Sequence, residues 1–211
     1  MIKKVLVTGI MALAITLSGM AQGIEIGAYG GYMPSSKTMY NYYGYRLRFN
    51  DGANFSASLG VSTPVGVTAE FNFTSFSSSI TQEGGIPDIV KPQPVNIQYY
   101  QIGVLRPLDV NNENLIPFGL VAIGASHFNP TELPEDYWRF AFSLGVGLKY
   151  FFTPVVGIRL QARMMMPMYF NGFGFGCSIG SGGSGCGGGA GFGSEIIQGD
   201  FGGGVVLRFN Q

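Results

Sequence analysis

W-R-F-A-F-S-L-G-V-G-L-K-Y, at positions 138–150, decides the fold of this chain. Its even positions carry large apolar side chains, from Trp138 to Tyr150, and its odd positions carry small or charged ones. Since successive side chains of a β-strand point to opposite faces, this period of two predicts a strand with one apolar face and one polar face. At about 3.3 Å per residue, the strand is long enough to cross a bilayer at a tilt. One strand alone would leave its backbone groups unpaired in lipid, so we expect the pattern to recur.

A related pattern recurs in seven further segments. The eight predicted strands lie at 24–33, 45–62, 67–80, 95–106, 117–128, 138–150, 156–168 and 200–209. Two of them have an open facing, because the parity changes within 95–106 and because 117–128 is apolar on both faces. A register change near Tyr99 and Tyr100 would reconcile the first. The prolines of 81–94 and the glycine-rich composition of 169–199 predict loops.

The N-terminus has the pattern of a secretory signal peptide. Lys3 and Lys4 form a positive region, an apolar run follows at 5–17, and small residues offer cleavage after Ala21 or after Gly23. We therefore expect residues 1–23 to be a signal peptide and residues 24–211 to form one domain. No later apolar run approaches about 18 residues, so a membrane crossing would have to use strands.

The connections between the predicted strands alternate between long and short. In a transmembrane barrel the long connections face outside and the short ones face the periplasm. An even number of strands also lets the sheet close without an open edge in lipid. The predicted fold is therefore all-β, an eight-stranded antiparallel up-and-down transmembrane β-barrel with both termini on the periplasmic side.

The composition agrees with such a barrel. Charged residues make up 11% of the chain, and 34 of its 211 residues are glycine. Ordinary soluble domains contain about 25% charged residues. The formal net charge is zero, so the basic excess typical of a nucleic-acid-binding protein is missing, and no nucleic-acid partner is expected.

Five segments carry a resemblance to a known family. They are G-A-Y-G-G-Y-M at 27–33, N-F-S-A-S-L-G-V at 54–61, P-F-G-L-V-A-I-G-A at 117–125, F-S-L-G-V-G-L-K-Y-F-F at 142–152 and G-G-G-V-V-L-R-F at 202–209. The chain resembles the eight-stranded outer-membrane β-barrel proteins and is similar to the membrane domain of outer-membrane protein A. Two features depart from that pattern: no peptidoglycan-binding domain is expected after the barrel, and the final aromatic, Phe209, is followed by two more residues.

The resemblance also implies a location and partners. An integral protein of a Gram-negative-type outer membrane contacts outer-membrane lipid and the outer-membrane assembly machinery. Its long loops would meet an extracellular ligand or protein.

Seven charged residues have inward parity in the predicted barrel. They are Glu25, Glu70, Arg139, Lys149, Arg159, Arg163 and Arg208. Charges in a narrow lumen must be paired or hydrated, so the set predicts either a structural ion-pair network or a gate lining a narrow, anion-preferring path. Because eight strands enclose a space that their own side chains can fill, a structural or surface-interaction role ranks above a small-solute channel or carrier.

A lipid-modifying hydrolase is a third hypothesis. Ser126 lies beside His127, and Glu132, Glu135 and Asp136 follow closely, although none stands at a diagnostic spacing. The sequence therefore predicts no catalytic residues. A single histidine also makes a zinc site unfavourable, and no cofactor or metal site is predicted.

Both cysteines lie in the glycine-rich segment. Cys177 and Cys186 are separated by eight residues, and glycine is permissive enough to bring them together. Because compartments outside the inner membrane are oxidising, we predict a disulfide between them.

Overall fold

The computed structural model describes seven parts of the chain. They are residues 23–34, 46–83, 93–108, 114–130, 137–180, 183–193 and 197–209. The predicted signal peptide lies outside these residues, apart from Gly23, which begins the first strand. The acids Glu132, Glu135 and Asp136 also lie outside them.

Ten strands form in these parts, and eight of them build the barrel wall. The strands are β1 (Gly23–Met33), β2 (Arg46–Phe49), β3 (Gly52–Ser62), β4 (Thr68–Glu83), β5 (Gln93–Pro107), β6 (Leu115–Pro130), β7 (Tyr137–Phe151), β8 (Val156–Gly180), β9 (Gly183–Gly193) and β10 (Gln198–Phe209). No helix long and apolar enough to cross a membrane occurs among the described residues.

Antiparallel pairing closes the wall into a ring. Its order is β1, β3, β4, β5, β6, β7, β8 and β10, and β10 pairs with β1 again. The short strand β2 precedes β3 in the chain and is separated from it by Asn50 and Asp51. Like β3, it pairs with β4. Strand β9 pairs with the far part of β8, beyond the residues that belong to the wall. The predicted eight-stranded antiparallel barrel is confirmed.

The two ends of the barrel differ in their connections. One end, called the turn end below, carries the short connections 63–67, 108–114 and 152–155 together with both ends of the wall. The turn at 63–67 is closed by a hydrogen bond from the Thr63 amide to the Val67 carbonyl at 2.9 Å, and Gly66 adopts a φ of 77° that glycine allows without strain. The opposite end, called the loop end, carries the longer connections.

The alternation in the sequence becomes two faces of the wall. Outward side chains are mostly apolar and exposed, as in Val146 and Ile102, which expose 63% and 67% of their surface. Inward side chains fill the lumen and are buried, including polar ones such as Gln101 and Ser143. The interior of the barrel is therefore made of the inward-facing side chains of the strands, and some of these are polar.

The facing of the two ambiguous strands is resolved by pairing. Strand β5 keeps one continuous register with β4 and with β6, so the expected register change near Tyr99 is wrong. Val95, Ile97 and Tyr99 all face the lumen, which is apolar at that level, and this is why the sequence pattern looked mixed. On β6, Phe118 and Leu120 face inward.

Two predicted loops contain strand residues instead. Residues 169–180 and 183–193 pair as an antiparallel hairpin within the segment predicted to be a loop. Glycine has no side chain to alternate, so a glycine-rich strand leaves no period of two in the sequence. Pro94 also lies within β5, near its beginning, where it pairs with Ser79.

Candidate functional site: the barrel lumen

The strands bring four basic and three acidic side chains together inside the lumen. We call this set the charged cluster: Glu25, Glu70, Lys149, Arg159, Arg163, Asp200 and Arg208. Its members come from β1, β4, β7, β8 and β10, and they lie in the half nearer the turn end and at mid-height. All are buried except Arg208, whose side chain exposes 15% of its surface.

Glu25 accepts two basic partners near the turn end. It pairs with Lys149 through one oxygen and accepts a hydrogen bond from Nε of Arg208 at 3.0 Å through the other. The guanidinium of Arg208 also lies over the ring of Phe151, 3.7 Å from its centroid. Glu25 is 4% exposed, so both cations compensate a carboxylate that water hardly reaches.

Arg159 and Glu70 form the most buried pair. The guanidinium donates to both carboxylate oxygens, at 2.5 and 3.0 Å, in the bidentate geometry that arginine favours. It also lies between two aromatic rings, 5.1 Å from the centroid of Tyr29 and 4.7 Å from that of Phe118. Tyr29 is held in turn by a 2.8 Å hydrogen bond with Ser58. Arginine at 0% exposure is therefore paired and stacked.

Arg163 joins three other strands at mid-height. Its Nε donates to Asp200 at 2.6 Å, and its Nη2 donates to the hydroxyls of Ser56 and Thr74 at 3.1 and 2.9 Å. Asp200 accepts a further hydrogen bond from the amide of Asn54 at 2.5 Å. This set ties together wall strands that are not neighbours in the ring, because β4 and β8 lie apart.

A cluster of apolar side chains lies in the half of the lumen nearer the loop end. We call this cluster the apolar plug: Met33, Phe76, Val95, Ile97, Tyr99, Ala141 and Met165. Each is at most 3% exposed, and Phe128 packs against them. The hydroxyl of Tyr99, the one polar group of the plug, donates to the side chain of Gln198. The plug therefore lies between the charged cluster and the loop end.

Six of the seven predicted lumen charges lie in the charged cluster. The exception is Arg139, which has inward parity but lies two residues from the start of β7, where its side chain is exposed. Arg139 therefore lies outside the charged cluster, since inward parity encloses a side chain only where the wall surrounds it.

Asp200 belongs to the charged cluster but is not among the lumen charges predicted from the sequence. Its parity with Gly202, Gly204 and Arg208 was available as a signal, since all four positions face the lumen. That signal is weak, because Asp200 stands at the boundary between the strand and the preceding glycine-rich segment.

Ser126 and His127 lie on opposite faces of β6. Ser126 faces the lumen at 0% exposure and donates to the carbonyl of Arg139 at 3.3 Å. His127 stacks on the ring of Trp138, with a centroid distance of 4.4 Å. Two consecutive strand residues point in opposite directions, so these side chains do not form a dyad.

The cysteines are opposite each other in the hairpin backbone. Cys177 is the register partner of Cys186 across β8 and β9. Directly opposed residues in an antiparallel pair lie about 4.5 or 5.5 Å apart at Cα, and disulfides usually span Cα distances of about 4.4–6.8 Å. The disulfide itself stays a prediction, because only the backbone is described there.

Six buried side-chain polar atoms in the lumen have no hydrogen-bond partner among the described protein groups, and three of them belong to the central residues of the lumen wall and the charged cluster. These three are Nε2 of Gln101, Oε1 of Gln161 and Nε of Arg159. Buried polar groups of this kind commonly bind ordered water. The lumen therefore has the chemistry of a closed, ion-paired interior with positions for a few internal waters.

Comparison with solved structures finds the same architecture. OprG from Pseudomonas aeruginosa is 10% identical, with a TM-score of 0.60 over 91% of this chain and 98% of that chain. Neisserial surface protein A is 11% identical, with a TM-score of 0.57 over 88% and 97%. AlkL, solved by solid-state NMR in lipid bilayers, is 14% identical, with a TM-score of 0.57 over 92% and 93%.

No family model and no curated protein sequence matches the chain. The likeness in architecture extends over most of this chain and nearly all of each of the three neighbours. Identities of 10–14% support a statement about fold only. The chain has the fold of the small eight-stranded outer-membrane β-barrel proteins.

Proposed function

We propose that this protein is an integral outer-membrane barrel with a structural or surface-interaction role and a lumen that does not conduct. The observation that carries the proposal is the filled interior. Phe76, Ile97 and Met165 of the apolar plug are each 0% exposed, and the ion-paired side chains of the charged cluster lie buried beneath them. A barrel of eight strands is only wide enough for such side chains.

The proposed orientation places the turn end in the periplasm and the loop end outside the cell. It is supported by the difference between the two ends, since short turns face the periplasm and longer loops face outward in barrels of this type. The partners are then outer-membrane lipid along the wall, the assembly machinery during insertion, and an extracellular ligand or protein at the loop end. A nucleic-acid partner is not part of the proposal.

The proposal includes no catalytic role. The hydrolase hypothesis depended on Ser126 and His127, and a hydrolase of that type needs the serine and the histidine within hydrogen-bond reach. Ser126 faces the lumen while His127 lies on the outer face beside Trp138, which supports a non-enzymatic role.

A narrow channel is the second candidate. It is favoured by the unpartnered atoms of Gln101, Gln161 and Arg159, because waters bound there would form part of a polar path. The apolar plug argues against continuous passage, since a dry constriction opposes the movement of ions.

Planar-bilayer recording of the purified, refolded protein distinguishes the two candidates. We expect no stepwise ion conductance from the wild type, because the plug and the charged cluster fill the lumen. A steady single-channel conductance of the wild type would contradict the proposal and support the channel. Folding of each sample is checked first by heat-dependent gel mobility.

A matched pair of double variants tests whether the plug is the barrier. Phe76→Ala with Ile97→Ala shortens two lumen side chains of β4 and β5, and we expect it to allow conductance steps. Phe71→Ala with Ile102→Ala removes the same residue types from the outer face of the same strands, where they are 44% and 67% exposed. This control should stay silent, and equal behaviour of the two variants would contradict a barrier located at the plug.

A further inference from the structure

A groove of about 860 Å³ crosses the outer face of the wall over β5, β6, β7, β8 and β10. Its lining is apolar for the most part and includes Val104, Val121 and Leu144. Two small outward residues, Gly119 and Ala162, also line it. Val146 of β7 lies between them, because it is the register partner of Gly119 on β6 and of Ala162 on β8. The missing bulk at these positions lets the groove form.

Arg106 lines the same groove at the turn end of β5. It is the register partner of Gly119, and its side chain is exposed. Among the outward-facing strand positions whose side chains the structure describes, it is the only Arg, Lys, Asp or Glu. Arg106 also has no ion-pair partner within the described part of the chain.

A cation with no ion-pair partner in the described part of the chain, on a mostly apolar outer face, favours an anion at the membrane boundary. The guanidinium group recognises phosphate oxygens with two parallel hydrogen bonds. Arg106 precedes Pro107, the last residue of β5, so its head can reach the interface while its stem covers apolar surface. The groove beside it offers space for a hydrocarbon chain.

We propose that Arg106 and the groove over Gly119 form a binding site for one anionic glycerophospholipid. The phosphate would contact the guanidinium, and an acyl chain would lie along the groove across Gly119 and Ala162. In the proposed orientation, this lipid belongs to the periplasmic leaflet. The inference rests on the proposed membrane location, but not on whether the lumen conducts.

Native mass spectrometry of the refolded protein in detergent micelles tests the site with two probes, phosphatidylglycerol and phosphatidylcholine. One arginine near anionic lipid contributes about 1 kcal/mol, which corresponds to a preference of about fivefold. We expect the wild type to bind its first phosphatidylglycerol about fivefold more tightly than phosphatidylcholine. Arg106→Gln should bind both lipids equally, whereas Arg139→Gln, which alters an exposed arginine at the loop end, should keep the preference.

The groove is tested by filling it. A Cβ added at Gly119 would meet no atom within 4 Å, so Gly119→Leu should fold, and we expect it to weaken the binding of both lipids. Gly30→Leu is the matched control, because Gly30 is also outward with no atom within 4 Å of an added Cβ but lies on β1, opposite β6 in the ring.

Two results would overturn the site. One is an unchanged lipid preference in Arg106→Gln, and the other is equal lipid binding by the two glycine variants. Heat-dependent gel mobility of every variant separates a lost site from a lost fold. Because the assay uses micelles and no ion gradient, a conducting wild-type barrel would contradict the proposed function and leave this result unaffected.

Discussion

The two halves of the lumen are enclosed by the same wall but hold different clusters, one of ion pairs and one of apolar side chains. Toward the turn end, Arg159 and Glu70 meet as a buried ion pair, and toward the loop end Phe76 and Ile97 pack without any charge. Strand β4 contributes to both halves, with Glu70 and Phe76 separated by only six positions. The odd or even position of a residue in its strand decides whether its side chain faces the lumen. Its height along the barrel axis decides whether that side chain contacts a charged or an apolar neighbour.

The difference has an energetic meaning. The apolar plug loses only packing and apolar burial when a side chain is shortened. The charged cluster has more to lose, because removal of one partner leaves the other charge buried and uncompensated. The two halves should therefore respond differently to single and double substitutions.

The largest effect is expected for Arg159→Met. Glu70 is 2% exposed and receives both of its short hydrogen bonds from this guanidinium. Loss of one member of a buried pair costs about 3–5 kcal/mol. Urea unfolding in lipid vesicles measures the loss.

The control for this prediction removes the orphaned charge as well. We expect Arg159→Met combined with Glu70→Gln to be more stable than Arg159→Met alone, because no unpaired carboxylate is left in the lumen. If the second substitution destabilised the barrel further, the ion pair would not be the source of the loss.

Ile97→Ala tests the apolar plug in the same assay. Truncation of a buried isoleucine to alanine costs about 2–5 kcal/mol through lost burial and the cavity that remains. Ile102→Ala is the matched control, since Ile102 lies on the same strand with its side chain outward and 67% exposed. We expect the control to lose less, and equal losses would show that the plug is not tightly packed.

A smaller effect is expected at the edge of the charged cluster. Arg208 is partly exposed, and Glu25 keeps Lys149 when Arg208 is removed. Arg208→Gln should therefore cost about 1 kcal/mol, as partly exposed ion pairs do. Unfolding at two salt concentrations provides the check, because the wild-type advantage should shrink at high salt. A loss as large as that of Arg159→Met would contradict the difference in burial.

The smallest effect is expected outside both halves. The hairpin of β8 and β9 pairs separately from the wall, so the barrel should not depend on a link between Cys177 and Cys186. Peptide mapping without reductant should find the two cysteines joined in protein isolated from cells. The Cys177→Ser, Cys186→Ser variant should unfold in urea as the wild type does, and a failure to insert would contradict this.

How much the sequence predicted depends on the strand. Where one face is apolar and the other is small or charged, as on β7 and β8, alternation predicted the inward charges Lys149, Arg159 and Arg163. On β5 and β6 the sequence left the facing open, because inward Ile97 and Leu120 are as apolar as their outward neighbours. The hairpin of β8 and β9 was missed for a similar reason, since glycine carries no side chain that could alternate.

The sequence by itself determined the eight-stranded barrel and the parity of most of its charges, because a period of two is a local property of each strand. Only the tertiary structure decided which charges meet. Glu25 pairs with Lys149 across 124 positions, and Arg159 with Glu70 across 89. Those pairs depend on the closure of the ring and on the stagger between strands, which bring distant positions to one level of the lumen. For the same reason Arg139, with inward parity but beyond the enclosed part of the wall, lies outside the charged cluster.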